Sequence, residues 1–283
     1  MNWYTFAQLP WRFYALQALA VVRLEWRRNF FSRRAVWLYV LALAPVLLTG
    51  AHSLVAAQRG WGHSLGEDLR IYAGIFHLAY LRMAIFLGCV VIFANQFRGE
   101  FLERTLHYYF LAPIRREVLV AGKYIAGLLA AVAFFAVSAG LSFLLTPLHF
   151  GAQFQEFLLR QDGLEQLGRY VLVAVLACAG YGAVFLLAGM LLRNPMIPAA
   201  GVMVWEGINP FLPSLLRKCS IIFYLKSLTP IEIAPGGPLS LFATNVEPPP
   251  VWLAVPGLLL VTVLVLVTAA IRARRLEVSY GDS

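Results

Sequence analysis

The residues able to do chemistry in this sequence are charges set beside or inside long apolar runs. Residues 98–123, RGEFLERTLHYYFLAPIRREVLVAGK, separate two such runs and open with both signs of charge crowded together at Arg98, Glu100, Glu103 and Arg104. A Pro-Ile-Arg-Arg break at 113–116 follows, then a fresh apolar run. A turn between two membrane spans needs only a few polar residues. This one spends about twenty on a short amphipathic helix and a sharp stop, the pattern of a surface on which something docks. Glu206 is the other conspicuous group, placed in an interrupted apolar run with Trp205, Asn209 and Pro210 beside it. A charge near the bilayer midplane costs roughly 2.5–3.5 kcal/mol on insertion scales, so such a group must face protein or water, or be protonated. Two readings stand for it. Glu206, Asn209 and Trp205 line a translocation path, or Glu206 is a structural carboxyl that satisfies backbone freed by kinks at Pro210 and Pro213. Arg82 has the same ambiguity, lying either centrally in its span or close enough to one end to snorkel outward.

Several chemistries are excluded by type and spacing. The three cysteines and five histidines form no metal or redox motif, so no metal site is expected, and no H-E-x-x-H is present. The intramembrane polar groups give no recognisable set of nucleophile, acid and base. There is no G-x-x-x-x-G-K-[ST] phosphate loop, so any ATP must be bound elsewhere.

The elements that position these groups belong to a membrane protein. Hydrophobic residues make up 60% of the chain and charged residues 13%. Soluble domains sit near ~45–50% and ~25%, so lipid is the solvent for most of this sequence. The net charge of +9 gathers beside the apolar runs rather than forming a nucleic-acid surface. Arg12, Arg23, Arg27, Arg28, Arg33 and Arg34 precede the first run, and Arg272, Arg274 and Arg275 follow the last, as expected for flanks kept on the cytoplasmic side of a plasma (inner) membrane. No cleavable signal pattern precedes the first run.

Residues 1–34 read as an amphipathic segment lying in the interface, with Leu19, Val22, Trp26 and Phe30 in one stripe and Glu25, Arg27, Arg28 and Asn29 on the flanks and opposite side. Arg23, Arg27, Trp26 and Lys123 are the expected interface anchors. Residues 35–283 form a single transmembrane domain. Spans are expected over 35–55, 72–97, 118–145, 170–192 and 251–271, each near the ~20 residues needed to cross. A short, broken fifth span over 196–212 brings the total to six and keeps both basic ends on one side. The apolar piece 221–225 before the last span is too short to cross and reads as re-entrant. Small residues recur every fourth position in the third span (Gly122, Ala126, Ala130), which lets helices approach closely.

The sequence Glu100, Glu103, Thr105-Leu106, Leu111, Pro113-Ile114, Arg116, Gly122-Lys123 resembles the membrane subunits of ABC-2-type transporters, with Arg104 and Arg115 where that family has glycine and serine. The resemblance covers the whole chain in outline and implies an all-α fold: six transmembrane helices, an N-terminal interfacial helix, a cytoplasmic coupling helix between spans 2 and 3, re-entrant or short helices before span 6, and both termini cytoplasmic. It implies a permease subunit, most simply of an exporter, that is not itself an enzyme. A separate ABC ATPase subunit holding ATP and magnesium would dock on 98–116, and the permease would work as a homodimer or as a heterodimer with a related permease. Leu102, Leu106 and Phe110 then supply an apolar knob. Glu100, Glu103 and Arg104 supply rim charges that set register, with Thr105 among the coupling residues, Pro113 ends the helix, and Arg115 and Arg116 anchor the next span. No cofactor and no nucleic acid are expected on this chain. The alternatives are an intramembrane enzyme or an ion-coupled secondary transporter without an ATPase partner.

Overall fold

The computed structural model describes residues 11–59, 64–102, 115–192, 194, 196–231 and 249–274. All regular structure among them is helical. Helix α1 (Trp11–Phe31) turns at 32–34 into α2 (Ala35–Arg59). Helix α3 is one continuous rod of five segments: Leu65–Ile75, Phe76–Ala84, Ile85–Cys89, Val90–Ala94 and Asn95–Leu102. Then come α4 (Arg116–Leu145), a 3₁₀ turn at Leu148–Phe150, α5 (Ala152–Arg160) and α6 (Gly163–Leu191). Helix α7 (Met196–Ile208), a 3₁₀ turn at Asn209–Phe211, and the short α8 (Ser214–Arg217) and α9 (Ile221–Leu228) precede α10 (Val251–Arg274).

Five described stretches are long and apolar enough to cross a membrane: Ala35–Arg59, Leu65–Phe97, Arg116–Phe150, Gly163–Leu191 and Val251–Arg274. The expected span at 196–212 differs. Its α-helix stops at Ile208 after 13 residues, about 20 Å at 1.5 Å per residue, against ~30 Å of hydrocarbon. Pro210 and Pro213 lack the backbone donor that would continue it, so the chain goes on as a 3₁₀ turn and a second short helix. The second span also starts earlier than its apolar run. Ser64 and Glu67 form a reciprocal capping box (Ser64 N to Glu67 Oε2 2.7 Å, Glu67 N to Ser64 Oγ 3.3 Å), which nucleates helix seven residues before Tyr72.

Two segments of α3, Phe76–Ala84 and Val90–Ala94, are π-helical. Each widened turn shifts the face that the following residues present. Phe76, Tyr80, Ile85, Phe86, Cys89 and Phe93 are thereby all buried along one rod. They meet α4 and α6, of which α6 is the most enclosed of the five long helices. Tyr72, Phe76, Phe143 and Tyr170 cluster edge to face with centroids 4.8–5.2 Å apart. Their neighbours are fixed by interhelical hydrogen bonds: Tyr72 Oη donates to Ala139 O (2.9 Å), Tyr124 Oη to Ala179 O (2.9 Å), and Tyr80 Oη bonds Ser138 and Ser142 Oγ (2.7 Å each). At the same end of the bundle Asp68, fully buried, lies 3.3 Å from His52 Nε2 and 3.7 Å from His149 Nδ1, joining α2, α3 and the turn after α4.

The closest backbone approach between helices is at Gly189 of α6, where a Cβ would lie 2.4 Å from Ala94 O and 2.8 Å from Ala94 Cα of α3. The obstacle is backbone and cannot rotate away. Gly189→Ala is therefore expected to cost about 1–3 kcal/mol, the range for overpacking. Gly201→Ala, with nothing within 4 Å, should cost nothing by packing. Thermal unfolding of the two variants in detergent checks the difference; equal midpoints would mean α3 and α6 are not in this contact.

Candidate functional site

One end of the bundle gathers α1, the end of α3, the start of α4 and the end of α10, and the 98–123 segment begins and ends there. Its centre is an ion pair. Lys123 Nζ, on the second turn of α4, lies 2.6 Å from Glu25 Oε1 of α1, and both side chains are essentially excluded from solvent. The ammonium also donates to Gln96 O of α3 (3.1 Å) and sits 5.4 Å from the centroid of the Phe97 ring. One side chain thus holds three elements. The pair can form because α1 comes very close to α4 at Gly122, where a Cβ would lie 3.1 Å from Val21 Cβ and 3.3 Å from Ala18 O.

The start of α4 also grips the end of the chain's last helix. Arg116 Nη1 donates to Ala273 O (3.2 Å) and Arg274 O (2.8 Å), satisfying carbonyls that the end of α10 leaves open. Glu117 pairs with Arg274 beside it. Arg115 lies 5.0 Å from the centroid of the Tyr14 ring of α1.

The sequence-predicted residues fall as follows. Glu100 and Leu102 are on the last turn of α3. Glu103, Arg104, Thr105, Leu106, Phe110 and Pro113 lie outside the described residues. Arg115 and Arg116 reach α1 and α10 as above. Arg23, Arg27 and Trp26 are exposed on the outer side of α1. Lys123 differs from expectation: it turns inward to Glu25 rather than outward to headgroups, because α1 covers that point of α4. On α1, Leu19 and Trp26 of the apolar stripe are open, as a membrane-facing stripe would be, while Val21 and Glu25 are the positions buried against the bundle. Glu25 was missed as a partner, although it is the lone acidic residue among six arginines in 1–34, which is a signal that it serves a particular cation.

Glu206 sits at the second candidate site. Its Oε2 accepts from Ser220 Oγ (2.5 Å) and Ile222 N (3.1 Å), and its Oε1 from Ile221 N (3.0 Å). These are among the first donors of α9, which have no partner within their own helix, and the positive end of the helix dipole favours the carboxylate. The geometry is that of a structural cap, on the helix that follows rather than at the Pro210 and Pro213 kinks. Asn209 is buried with its Nδ2 unpartnered, and Trp205 is half-buried. Lys226 of α9 lies within electrostatic reach of Glu206 and of Arg82, which is exposed on α3, so the lipid-zone charges form one mixed cluster. Ser220, immediately before an apolar helical run, was the legible signal for this start.

A family model described as ABC-2 family transporter protein matches residues 27–205, from the last turns of α1 through α2, α3, α4 and α6 into α7. No curated protein matches the chain.

Proposed function

This chain belongs to the ABC-2 family of transporter proteins, whose members are permease components of ABC transporters, and on that premise we propose that it is the membrane subunit of an exporter driven by a separate ATPase docked on residues 98–116. One observation carries the reading. Both flanks of that segment are tied into one rigid platform, by Lys123 to Glu25 and Gln96 and by Arg116 to the end of α10. Force applied to the segment then reaches α1, α3, α4 and α10 together. A loop that only joins two spans has no use for such anchoring.

Six crossings with both termini cytoplasmic accompany this proposal. Support comes from Arg116, since α10 ends beside the start of α4, while Gly189 puts the end of α6 beside the C-terminal part of α3, at the same end of the bundle. The chain between α6 and α10 must then pass from one face to the other, and α7 to α9 make that passage in short pieces. ATP and magnesium belong to the partner, the permease pairs with a second copy or a related permease, and the plasma membrane is its location. This chain carries no catalytic step of its own. The arrangement also accounts for Glu206 without an enzyme, since its carboxylate is spent on the start of α9.

Co-purification from native membranes in mild detergent tests the proposal, with wild type beside a Glu103→Arg/Leu106→Asp double variant. Wild type is expected to bring down a stoichiometric ATPase, and the variant to lose it at least tenfold while remaining folded. Recovery of wild type without any ATPase would overturn the reading.

A further inference from the structure

A partly open cavity of about 170 Å³ lies between α1, the start of α2 and the end of α3. Its polar lining includes Arg28, Asn29, Arg33, Arg34 and Gln96, together with Ser32 and Glu25. Gln96 is 3% exposed, yet neither its Nε2 nor its Oε1 has a hydrogen-bond partner; Asn29 Nδ2 is likewise buried and unpartnered. Such groups are costly to leave unmade, about 1–3 kcal/mol each. The side chains of Arg33 and Arg34 make no ion pair or hydrogen bond among the described residues. Arg34 and Arg28 converge over Gly99, where a Cβ would lie 3.2 Å from Arg34 Nη1 and 2.9 Å from Arg28 Nη2. The described carboxylate at the cavity, Glu25, is already taken by Lys123. Three arginines therefore face this space against one carboxylate that is already paired, the inverse of a cation site.

We propose that this cavity binds the phosphate group of an anionic phospholipid, held by Arg33, Arg34, Gln96 and Asn29. Guanidinium groups match phosphate oxygens in charge and in fork geometry, and amide N–H groups complete the donor set. Lipid is the source because the chain on either side of the cavity is apolar and open: Phe31 is 81% and Trp37 66% exposed, at the level where α1 turns into a membrane span. Acyl chains have a surface to lie on there, and Trp26 and Arg27 mark the headgroup layer on the same helix. The bound headgroup would clamp α1 against α2 and α3, next to the Glu25–Lys123 pair. The site stands independently of any ATPase partner.

The test is native mass spectrometry of the delipidated full chain in neutral detergent, titrated with phosphatidylglycerol, phosphatidylcholine or inorganic phosphate. One phosphatidylglycerol per chain is expected, at least tenfold tighter than phosphatidylcholine. Arg33→Gln/Arg34→Gln should erase that preference, whereas Arg59→Gln/Arg70→Gln at the other end of the bundle should keep it. Gln96→Leu removes a buried unpartnered amide, so it is expected to fold at least as well as wild type while weakening phosphatidylglycerol at least threefold. Equal binding of the two lipids, or undiminished phosphatidylglycerol binding in both cavity variants, would overturn the site. Displacement of the lipid by equimolar inorganic phosphate would overturn the lipid source and assign the cavity to a soluble phosphate.

Discussion

Lys123→Met is expected to destabilise the folded chain by about 3–5 kcal/mol, because it strands the Glu25 carboxylate in a site closed to water. Glu25→Leu should do comparable damage from the other side, taking the carboxylate away from a buried ammonium that also donates to Gln96 O and sits against the Phe97 ring. The double variant Glu25→Leu/Lys123→Met separates charge stranding from loss of the pair itself. Replacing both members of a buried ion pair by apolar residues is often neutral or stabilising, so the double variant should recover most of what either single one loses. Denaturant titration of helicity in mixed micelles measures all four proteins. If the double loses the sum of the two singles, the charges act independently and the pair does not exist in the folded protein. A second readout bears on function. Even with stability restored, the double variant has lost the directional contact that fixes α1 on α4, so ATPase activity in the transporter complex should fall several-fold if that register transmits the stroke. Unchanged activity would restrict the pair to a structural role.

Glu206→Ala is expected to cost about 2–4 kcal/mol, since it removes the acceptor for three donors, two of them the backbone N–H groups of Ile221 and Ile222 at the start of α9. Glu206→Gln keeps one carbonyl acceptor and should lose no more than about half as much. The comparison separates the two readings that the sequence left open. A cap predicts that thermal stability follows acceptor capacity, falling from Glu to Gln to Ala. A residue used only in the translocation path predicts the same unfolding midpoint in all three, with the loss confined to cargo-dependent ATPase activity. Because α9 packs on α6 and α10, with Ile221 close to Gly180 and Tyr224 close to Gly257, a frayed α9 should loosen that whole corner of the bundle.

Much of this architecture was legible in the residues themselves. Apolar length alone marks five stretches able to cross, because lipid offers no partner to an open backbone and a helix must therefore run the full width of the hydrocarbon. Prolines at 210 and 213 announced that the region after 196 could not match them, and its helix ends at Ile208. The charges at 98–116 and their spacing gave the family, which the match over 27–205 shows. The boundary at Leu65 was also available, in the Ser64–Glu67 capping pattern, but the apolar run beginning at Tyr72 obscured it.

The partners of the polar side chains were not legible, and the reason is geometric. Periodicity reports which residues share a helix face under a constant 3.6-residue turn, and the two π-helical segments of α3 break that constancy without any mark in the sequence. It also says nothing about which face another helix will cover. Lys123 looks like a residue that reaches for headgroups until α1 lies over Gly122 and brings Glu25 to within 2.6 Å of it. Glu206 looks like a stranded charge until α9 folds back and presents two backbone donors to it. Composition and length therefore determined that this chain spans a membrane and in what order its helices run. Tertiary packing alone decided which charges are spent on holding it together, because a charge buried in lipid is stable only where a specific partner, distant in sequence, reaches hydrogen-bonding range.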